Sequence, residues 1–140
     1  MADLSFTAAS VLVESTPTPV YGSGTLGATL VRGDAVYLDS ADNKLKGAIA
    51  TSLAPSRAVG LLLSDGADGQ DVFYLVRGWI AGATITKGLV YIVSGATAGK
   101  LSPHTDATTP ASGEFVTIVG IGQANNILAV NFVWGEVALA

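Results

Sequence analysis

The chain contains one β-patterned phrase twice, and this repetition limits its possible folds more than any other feature. "GATLVRGDAVYL" begins at Gly27 and "GATITKGLVYIV" begins at Gly82. A Val-x-Gly pattern brackets the two copies about 56 residues apart, at Val20, Val76 and Val133. Two copies are too few for a solenoid, which needs about three or more repeats. The phrase therefore predicts one domain made of two similar halves, as in a pseudo-two-fold barrel or sandwich.

These spacings divide the chain into an arm and a single β domain. Residues 1–19 precede the first copy, and their "TPTP" favours extended backbone because each proline restricts itself and the residue before it. We expect an extended N-terminal arm over 1–19 and one β domain over 20–140. Within the domain we expect pseudo-repeats at 20–75 and 76–132, followed by a closing strand at 133–140.

Each half has the composition of short strands joined by turns. "AVYLD" and "LVYIV" are β-branched and aromatic, and each follows a glycine that can turn the chain. "DVFYLVRGWIA" and "ILAVNFVWGEVALA" carry an interior glycine, which commonly marks a bulge or bend. We interpret "GSGTLG" as a flexible lead into the first strand, and "KGAIATSLAPSRA" as compatible with one helical turn before Pro55. The expected fold class is all-β, a small barrel or sandwich.

The composition favours a subunit of an assembly. Hydrophobic residues make up 49% of the chain and charged residues 13%, about half the usual charged share. Isolated monomers carry more surface charge for solubility, whereas neighbouring subunits can cover uncharged surface. The net charge of −4 comes without any basic cluster, which argues against a nucleic-acid partner.

Other broad classes are also disfavoured. The chain has no cysteine, which excludes disulfides and thiolate chemistry, and its first residues lack the basic region of a signal peptide. The longest uncharged run, residues 115–135, contains several amide side chains that would be costly in hydrocarbon. We expect no membrane segment.

Catalytic and metal-binding patterns are weak. His104 is the single histidine, it lies in a turn-rich segment, and no Gly-x-Ser-x-Gly motif accompanies it. Asp65, Asp68 and Asp71 are spaced by three, whereas the EF-hand loop needs carboxylates spaced by two. We interpret that segment as a polar hairpin loop and leave a weak Ca²⁺ site open. No catalytic, cofactor-binding or metal-ligating residue is predicted, and the chain is expected not to be an enzyme.

The tripeptide Arg32-Gly33-Asp34 could suggest cell adhesion. The second copy has Lys87-Gly88-Leu89 at the same place, so the shared element is a basic residue and a glycine before a strand. That pattern is typical of a turn.

Apolar residues outside the repeated phrase are the candidate partner contacts. Trp79 is interpreted either as a core residue or as an interface anchor, since large aromatic side chains serve both roles. "SVLVE" in the arm could pair as a strand, with its own domain or with a neighbouring chain. The candidate contacts are Trp79 together with four residues of the arm, Phe6, Val11, Leu12 and Val13.

The glycine and strand pattern resembles the small capsid cement or head-decoration proteins of tailed phages. The resemblance covers about residues 20–132 and consists of three segments. The first contains Gly33, Val36, Tyr37, Leu38 and Asp39; the second, Val59, Gly60, Gly69, Gln70 and Val72; the third, Gly88, Val90, Tyr91, Val93, Ser94, Ala98, Gly99 and Pro103.

The resemblance implies a structural protein of the virion, made in the cytoplasm of the host bacterium. Such a protein binds the outer surface of the mature, expanded head as a homotrimer and stabilises the shell against DNA pressure. Its implied partner is the major capsid protein, whose neighbouring subunits it bridges. The arm would add a strand to the edge of a capsid subunit, with main-chain hydrogen bonds supplying affinity.

Two alternatives remain at this stage. One is a tail-associated or receptor-binding β module. The other is a β-clip enzyme such as a dUTPase, because "GATLVRG" is also similar to β-clip domains. The signature motifs of catalytic Asp, Ser and Arg that trimeric dUTPases carry are not found in this sequence.

Overall fold

The computed structural model describes residues 4, 6, 11–105 and 111–138. The described chain is almost entirely antiparallel β structure, and its sheet curls into a half-barrel, so the all-β prediction is confirmed. The elements are β1 (Leu12–Val13), β2 (Val20–Thr25), β3 (Ala35–Asp39), β4 (Lys44–Gly47), α1 (Leu53–Ser56), β5 (Gly60–Leu62), β6 (Asp71–Ala81), β7 (Val90–Val93), β8 (Leu101–Pro103), β9 (Phe115–Ala124) and β10 (Ile127–Ala138).

Counted inward from either edge of the sheet, the four strands of each half follow the same order. The order is β4-β3-β5-β6-β10-β9-β7-β8, so β4-β3-β5-β6 corresponds to β8-β7-β9-β10 in chain order. Gly33 before β3 and Gly88 before β7 have the same positive φ of 86°. The expected boundary between residues 75 and 76 falls inside β6, and the repeat itself stays an interpretation of the sequence.

Strand β6 joins the two halves. Tyr74 and Leu75 pair with β2 on one side and β5 on the other, whereas Ile80 and Ala81 pair with β1 and β10. Between them, Arg77 pairs with both β2 and β10. It follows that β1 and β2 run along one edge of β6, while β5 and then β10 occupy the other edge.

The described part of the expected arm lies against its own domain. Leu12 and Val13 pair with β6, and the N–H of Glu14 donates to the carbonyl of Trp79 at 2.8 Å. Residues 15–19, with a cis bond between Thr16 and Pro17, have no ladder partner in the part that the structure describes, and Pro19 lies over Gly78 of β6. From Val20 onward β2 pairs with the same strand. Of the two pairings considered for this segment, the one with its own domain is observed.

Two hydrophobic clusters hold the sheet. The smaller one lies in the first half and comprises Leu26, Val36, Leu45, Leu62 and Val72. The larger one extends over both halves, from Ala35, Leu61 and Leu75 to Ile80, Tyr91, Val93, Leu101, Val119, Leu128 and Val130. Residues 72 and 75 of β6 belong to different clusters, so this strand separates the two cores.

Two glycines of "GSGTLG", Gly22 and Gly24, are strand residues of β2 rather than part of a flexible lead. A Cβ on Gly22 would collide with the ring of Tyr74, and a Cβ on Gly24 would lie 2.9 Å from Leu45. Gly60 of β5 faces the same ring from the opposite neighbouring strand. Glycine is needed on both sides because the ring of Tyr74 lies directly over the two backbones.

Two local predictions need adjustment. The helical turn α1 includes Pro55 as its third residue instead of ending before it, which is tolerated because N–H groups of a first turn have no partner within the helix. The predicted closing strand is the second part of β10. An irregularity lies between Trp134 and Ala138, where Glu136 has a φ of 60°, next to the glycine that predicted a bulge.

Candidate docking surface

The structure places the candidate contact residues in two different environments. Phe6 is buried with its ring over Gly33, and Val11 and Val13 pack against the larger core. Leu12 is 62% exposed, and Trp79 is half-buried. Leu12 and Trp79 are therefore open to a partner, whereas the other three side chains contribute to the fold.

Trp79 belongs to an apolar row that crosses four strands. It pairs with Ala129 of β10, Ala129 pairs with Ile121 of β9, and Ile121 pairs with Val90 of β7. Paired residues project from the same face of a sheet. The neighbours of this row along each strand, such as Ile80, are buried in the core, so the row lies on the outer face.

Further apolar residues widen this surface on both sides of the row. Ala81 of β6 pairs with Leu12 of β1 and with Ile127 of β10, while Val133 pairs with Ile118 at the other end. We call this surface the Trp79 face; it comprises Leu12, Trp79, Ala81, Val90, Ile118, Ile121, Ile127, Ala129 and Val133.

A hollow of about 390 Å³ lies within the Trp79 face, between β9 and β10. It is lined by the small residues Gly120 and Ala129, by the apolar side chains of Ile118, Ile121 and Val133, and by two amides, Gln123 and Asn131. A side chain at Gly120 is excluded because a Cβ would collide with the backbone carbonyl of Ala129. Ile121 is 49% exposed, so the rim of the hollow is open to contact.

The Trp79 face carries little charge. Glu14 lies beside Trp79 on the neighbouring strand, and Arg77 pairs with Asn131 at the margin, giving one charge of each sign. Several acidic residues instead lie in the turns of the first half, between β3 and β4 and between β5 and β6. The Trp79 face therefore lies apart from these charged turns.

The charged turns of the first half are organised by ion pairs. Lys46 Nζ lies 2.8 Å from Asp39 and 3.2 Å from Asp42, and its hydrogen bond holds the pKa of Asp39 below the ordinary value. Lys44 joins the two turns through Asp68 at 3.4 Å. A backbone N–H from Arg32 likewise lowers the pKa of Asp65.

The same contacts show which group each carboxylate of Asp65, Asp68 and Asp71 binds. Asp65 accepts from Arg32, Asp68 pairs with Lys44, and Asp71 accepts from the hydroxyl of Thr25 at 2.7 Å. The three carboxylates have different partners. Within the described ranges, no group of three His, Cys, Asp or Glu side chains is arranged to hold a metal ion.

The Arg-Gly-Asp tripeptide is built into the fold. Asp34 is buried; one carboxylate oxygen accepts from the N–H of Val31 at 3.1 Å and the other lies 2.7 Å from Lys100 Nζ. Gly33 is covered by Phe6. A buried aspartate cannot be displayed to a receptor, which agrees with the interpretation of this segment as a turn.

His104 has a backbone role. Its side chain is exposed, and its Nδ1 lies 3.1 Å from the N–H of Val90. Its own N–H donates to the carbonyl of Val90 at 2.8 Å. These bonds attach the segment after β8 to the start of β7.

Trp134 forms a second aromatic feature, where β5 and β10 diverge from the same edge of β6. Its Nε1 donates to the carbonyl of Ala58 at 2.8 Å, which links β10 to the segment before β5. The guanidinium of Arg57 lies 5.9 Å from the centre of the indole ring, and its Nε lies 2.7 Å from Glu136. The indole is thereby fixed in place and closes an apolar cleft above Val76.

Sequence reasoning did not find most of the Trp79 face. In "ILAVNFV", outward Ala129 and Asn131 alternate with inward Leu128 and Val130, so apolar residues occupy both sides of β10. An apolar run of this kind is typical of a strand buried on both faces. That signal predicts a covered outer face, although it does not say which strands share it.

Comparisons with known proteins give no assignment. No known protein family matches the chain, and none of the curated proteins matches it. Among the residues that the structure covers, no helix has the length and apolar character needed to cross a membrane.

Proposed function

We propose that this chain is a non-enzymatic capsid cement protein of a tailed phage, which binds the outside of the expanded head through the Trp79 face. The observation that carries the proposal is an apolar outer surface shared by five strands. An antiparallel sheet with one buried face ordinarily presents a polar face to water. Contiguous exposed apolar surface is instead a mark of interaction sites.

The size of the Trp79 face supports a multivalent attachment. Five strands span roughly 19 Å and five residues about 17 Å, which gives roughly 300 Å² of projected area. A standard stable interface buries about 800 Å² on each partner. A single face therefore gives a weak contact, whereas several copies linked in one assembly gain affinity through avidity. The homotrimer implied by the family resemblance meets this requirement.

The distribution of charge supports the same orientation. The Trp79 face has one acidic and one basic residue at its margin, so burying it removes little charge from water. The acidic turns of the first half stay hydrated when the second half is docked. In this arrangement the protein lies on the virion surface, bridges neighbouring major capsid subunits, and has no contact with the packaged DNA.

Co-sedimentation with purified phage heads tests the proposal. The heads are assembled, in unexpanded and expanded forms, from the major capsid protein of the phage whose genome carries this chain. We expect binding to expanded heads, and we expect Ile121→Asp to weaken it by about tenfold or more, because burial of an isoleucine contributes about 1.5–3 kcal/mol. Val137→Asp is the matched control, since Val137 is exposed on β10 outside the Trp79 face.

Two outcomes would contradict the proposal. One is wild-type protein that stays in the supernatant with both head forms. The other is binding that Ile121→Asp and Val137→Asp weaken equally. Thermal unfolding of each variant establishes that the folded state is retained before binding is compared.

A further inference from the structure

A second exposed surface lies at the other end of β6 and differs in chemistry from the Trp79 face. Ser23 pairs with Phe73, and Thr25 pairs with Asp71. These four residues and Tyr21 project from one face of the β2–β6 pair. On the opposite face, Gly22 and Gly24 have no side chains, which leaves room for Tyr74 and Leu45. We call this surface the aromatic strip; it comprises Tyr21, Ser23, Thr25, Asp71 and Phe73.

The aromatic strip and the Trp79 face lie on opposite sides of β6. Phe73 is two residues from Leu75 and shares its side of the strand, and Leu75 packs in the larger core with Ile80. Trp79 is adjacent to Ile80 and projects the other way. Covering the Trp79 face therefore leaves the aromatic strip accessible.

The strip has an apolar end and a polar end. Phe73 is 64% exposed and Tyr21 is 51% exposed, so both rings present surface to solvent. At the polar end, Thr25 Oγ1 donates to Asp71 Oδ1 at 2.7 Å. Across the described part of the chain, neither the second oxygen of Asp71 nor the Ser23 hydroxyl has a hydrogen-bond partner. These groups remain available to a ligand.

The strip also contains a hollow of suitable size. A cavity of about 380 Å³ is lined by Ser23, Gly24, Thr25, Asp71, Val72 and Phe73. Small-molecule sites commonly measure about 300–1,000 Å³ and combine aromatic walls with a few polar groups. From Tyr21 to Thr25 the strand extends about 13 Å, the length of a short oligosaccharide.

We propose that the aromatic strip is a binding site for a neutral saccharide. A pyranose ring has an apolar face of C–H groups and a rim of hydroxyls, and the strip presents an aromatic ring beside a carboxylate. Phe73 packs against the C–H face, while Asp71 and Ser23 accept hydrogen bonds from the hydroxyls. A charge-assisted bond to a carboxylate is about twice as strong as a neutral one.

The same chemistry disfavours other occupants. An apolar protein surface laid over the strip would bury Asp71 without a partner for its second oxygen, which is costly. A nucleic acid could stack a nucleobase on Phe73, but Asp71 would repel its phosphates. The strip contains no lysine or arginine to bind them. A neutral ligand rich in hydroxyl donors satisfies both ends.

Titration of the isotope-labelled full chain, followed by NMR, tests the site. The probes are maltotriose, cellotriose and tri-N-acetylchitotriose, each added up to about 20 mM, which suits the millimolar affinity of a small open site. We expect saturable shifts at Tyr21, Ser23 and Phe73 with at least one probe. Phe73→Ala and Asp71→Asn should each weaken binding about tenfold, a loss of about 1.4 kcal/mol.

Val137→Ala is the control because it trims an exposed apolar side chain far from the strip in sequence. Absence of saturable shifts with all three trisaccharides would overturn the proposal, as would shifts unaffected by Phe73→Ala. Shifts in the strip that grow with protein concentration in the absence of sugar would instead identify a contact between copies. Phe73→Ala should bind phage heads as well as the wild type, so this test is independent of the capsid proposal.

Discussion

The ammonium group of Lys100 lies 2.7 Å from Oδ1 of Asp34 and joins the two halves of the sheet at a point remote from β6. Asp34 directly precedes β3, and Lys100 directly precedes β8. Beside this pair, the N–H of Ala35 donates to the carbonyl of Gly99 at 2.8 Å. The side chain of Asp34 is only 7% exposed. The aspartate of the Arg-Gly-Asp segment is thus a structural link.

Removing the ammonium group should destabilise the protein measurably. Lys100→Met keeps the aliphatic stem but leaves Asp34 buried with the Val31 N–H as its one remaining hydrogen-bond partner among the described residues. We expect the free energy of unfolding to fall by about 2 kcal/mol, because a buried charge loses its counterion. Urea denaturation measures this change. Lys44→Met is the control, since its pair with Asp68 is exposed and should contribute less than about 0.5 kcal/mol.

The two glycines that precede β3 and β7 should respond differently to alanine. Gly33 and Gly88 have the same φ of 86°, so alanine at either position is strained by roughly 1–2 kcal/mol. A Cβ at Gly33 also collides with Phe6, whereas Gly88 faces open space. We expect Gly33→Ala to lower the melting temperature more than Gly88→Ala does. The larger loss at Gly33 should disappear in a Phe6→Gly background, which removes the Cβ of Phe6 as well as its ring. A difference between the two glycines that persists in that background would contradict the contact with Phe6.

Tyr74 and Gly60 should be energetically coupled. Gly60→Ala places a methyl group in the ring of Tyr74, and overpacking of this kind costs about 1–3 kcal/mol. In a Tyr74→Ala background the Cδ1 and Cγ atoms that the methyl group meets are absent, so the same substitution should cost less. A double-mutant cycle by chemical denaturation gives the coupling energy. Purely additive effects would mean that the ring does not restrict Gly60.

Acid should weaken the Asp39–Lys46 contact. The hydrogen bond from Lys46 lowers the folded-state pKa of Asp39 below 3.8. The stabilisation is therefore present above the unfolded-state pKa, near 4, and is lost as the pH falls through the lower folded-state value. Between pH 5 and pH 2, which lie about one to two units on either side of the unfolded-state pKa, the wild type should lose more stability than Asp39→Asn does.

Thermal melts at several pH values measure this dependence for Asp39→Asn and for the wild type. Because the side chains are partly exposed, added salt should diminish the difference between the two proteins. Identical pH profiles at low salt would show that the contact contributes nothing.

Local sequence signals located several strands but could not locate the surfaces. "AVYLD" and "LVYIV" became β3 and β7 because β-branched residues follow a turn glycine. The role of Gly22 could not be predicted, since its cause is the ring of Tyr74, 52 positions along the chain. For a similar reason, the sequence could not decide whether Trp79 is a core residue or an interface residue. A register shift opposite β2 near Val76 changes which residues of β6 face outward, and only the pairing of strands reveals it.

The position of β6 between two pairs of strands also bears on synthesis of the chain. The smaller cluster is complete once Val72 has left the ribosome, so it can pack while later strands are still being translated. The far end of β6 must then wait for β10, which begins at Ile127. At about 5–20 residues per second, that delay is roughly 2–10 s. During this interval Ile80 and its backbone edge are exposed on the ribosome, where a chaperone or a wrong strand can reach them first.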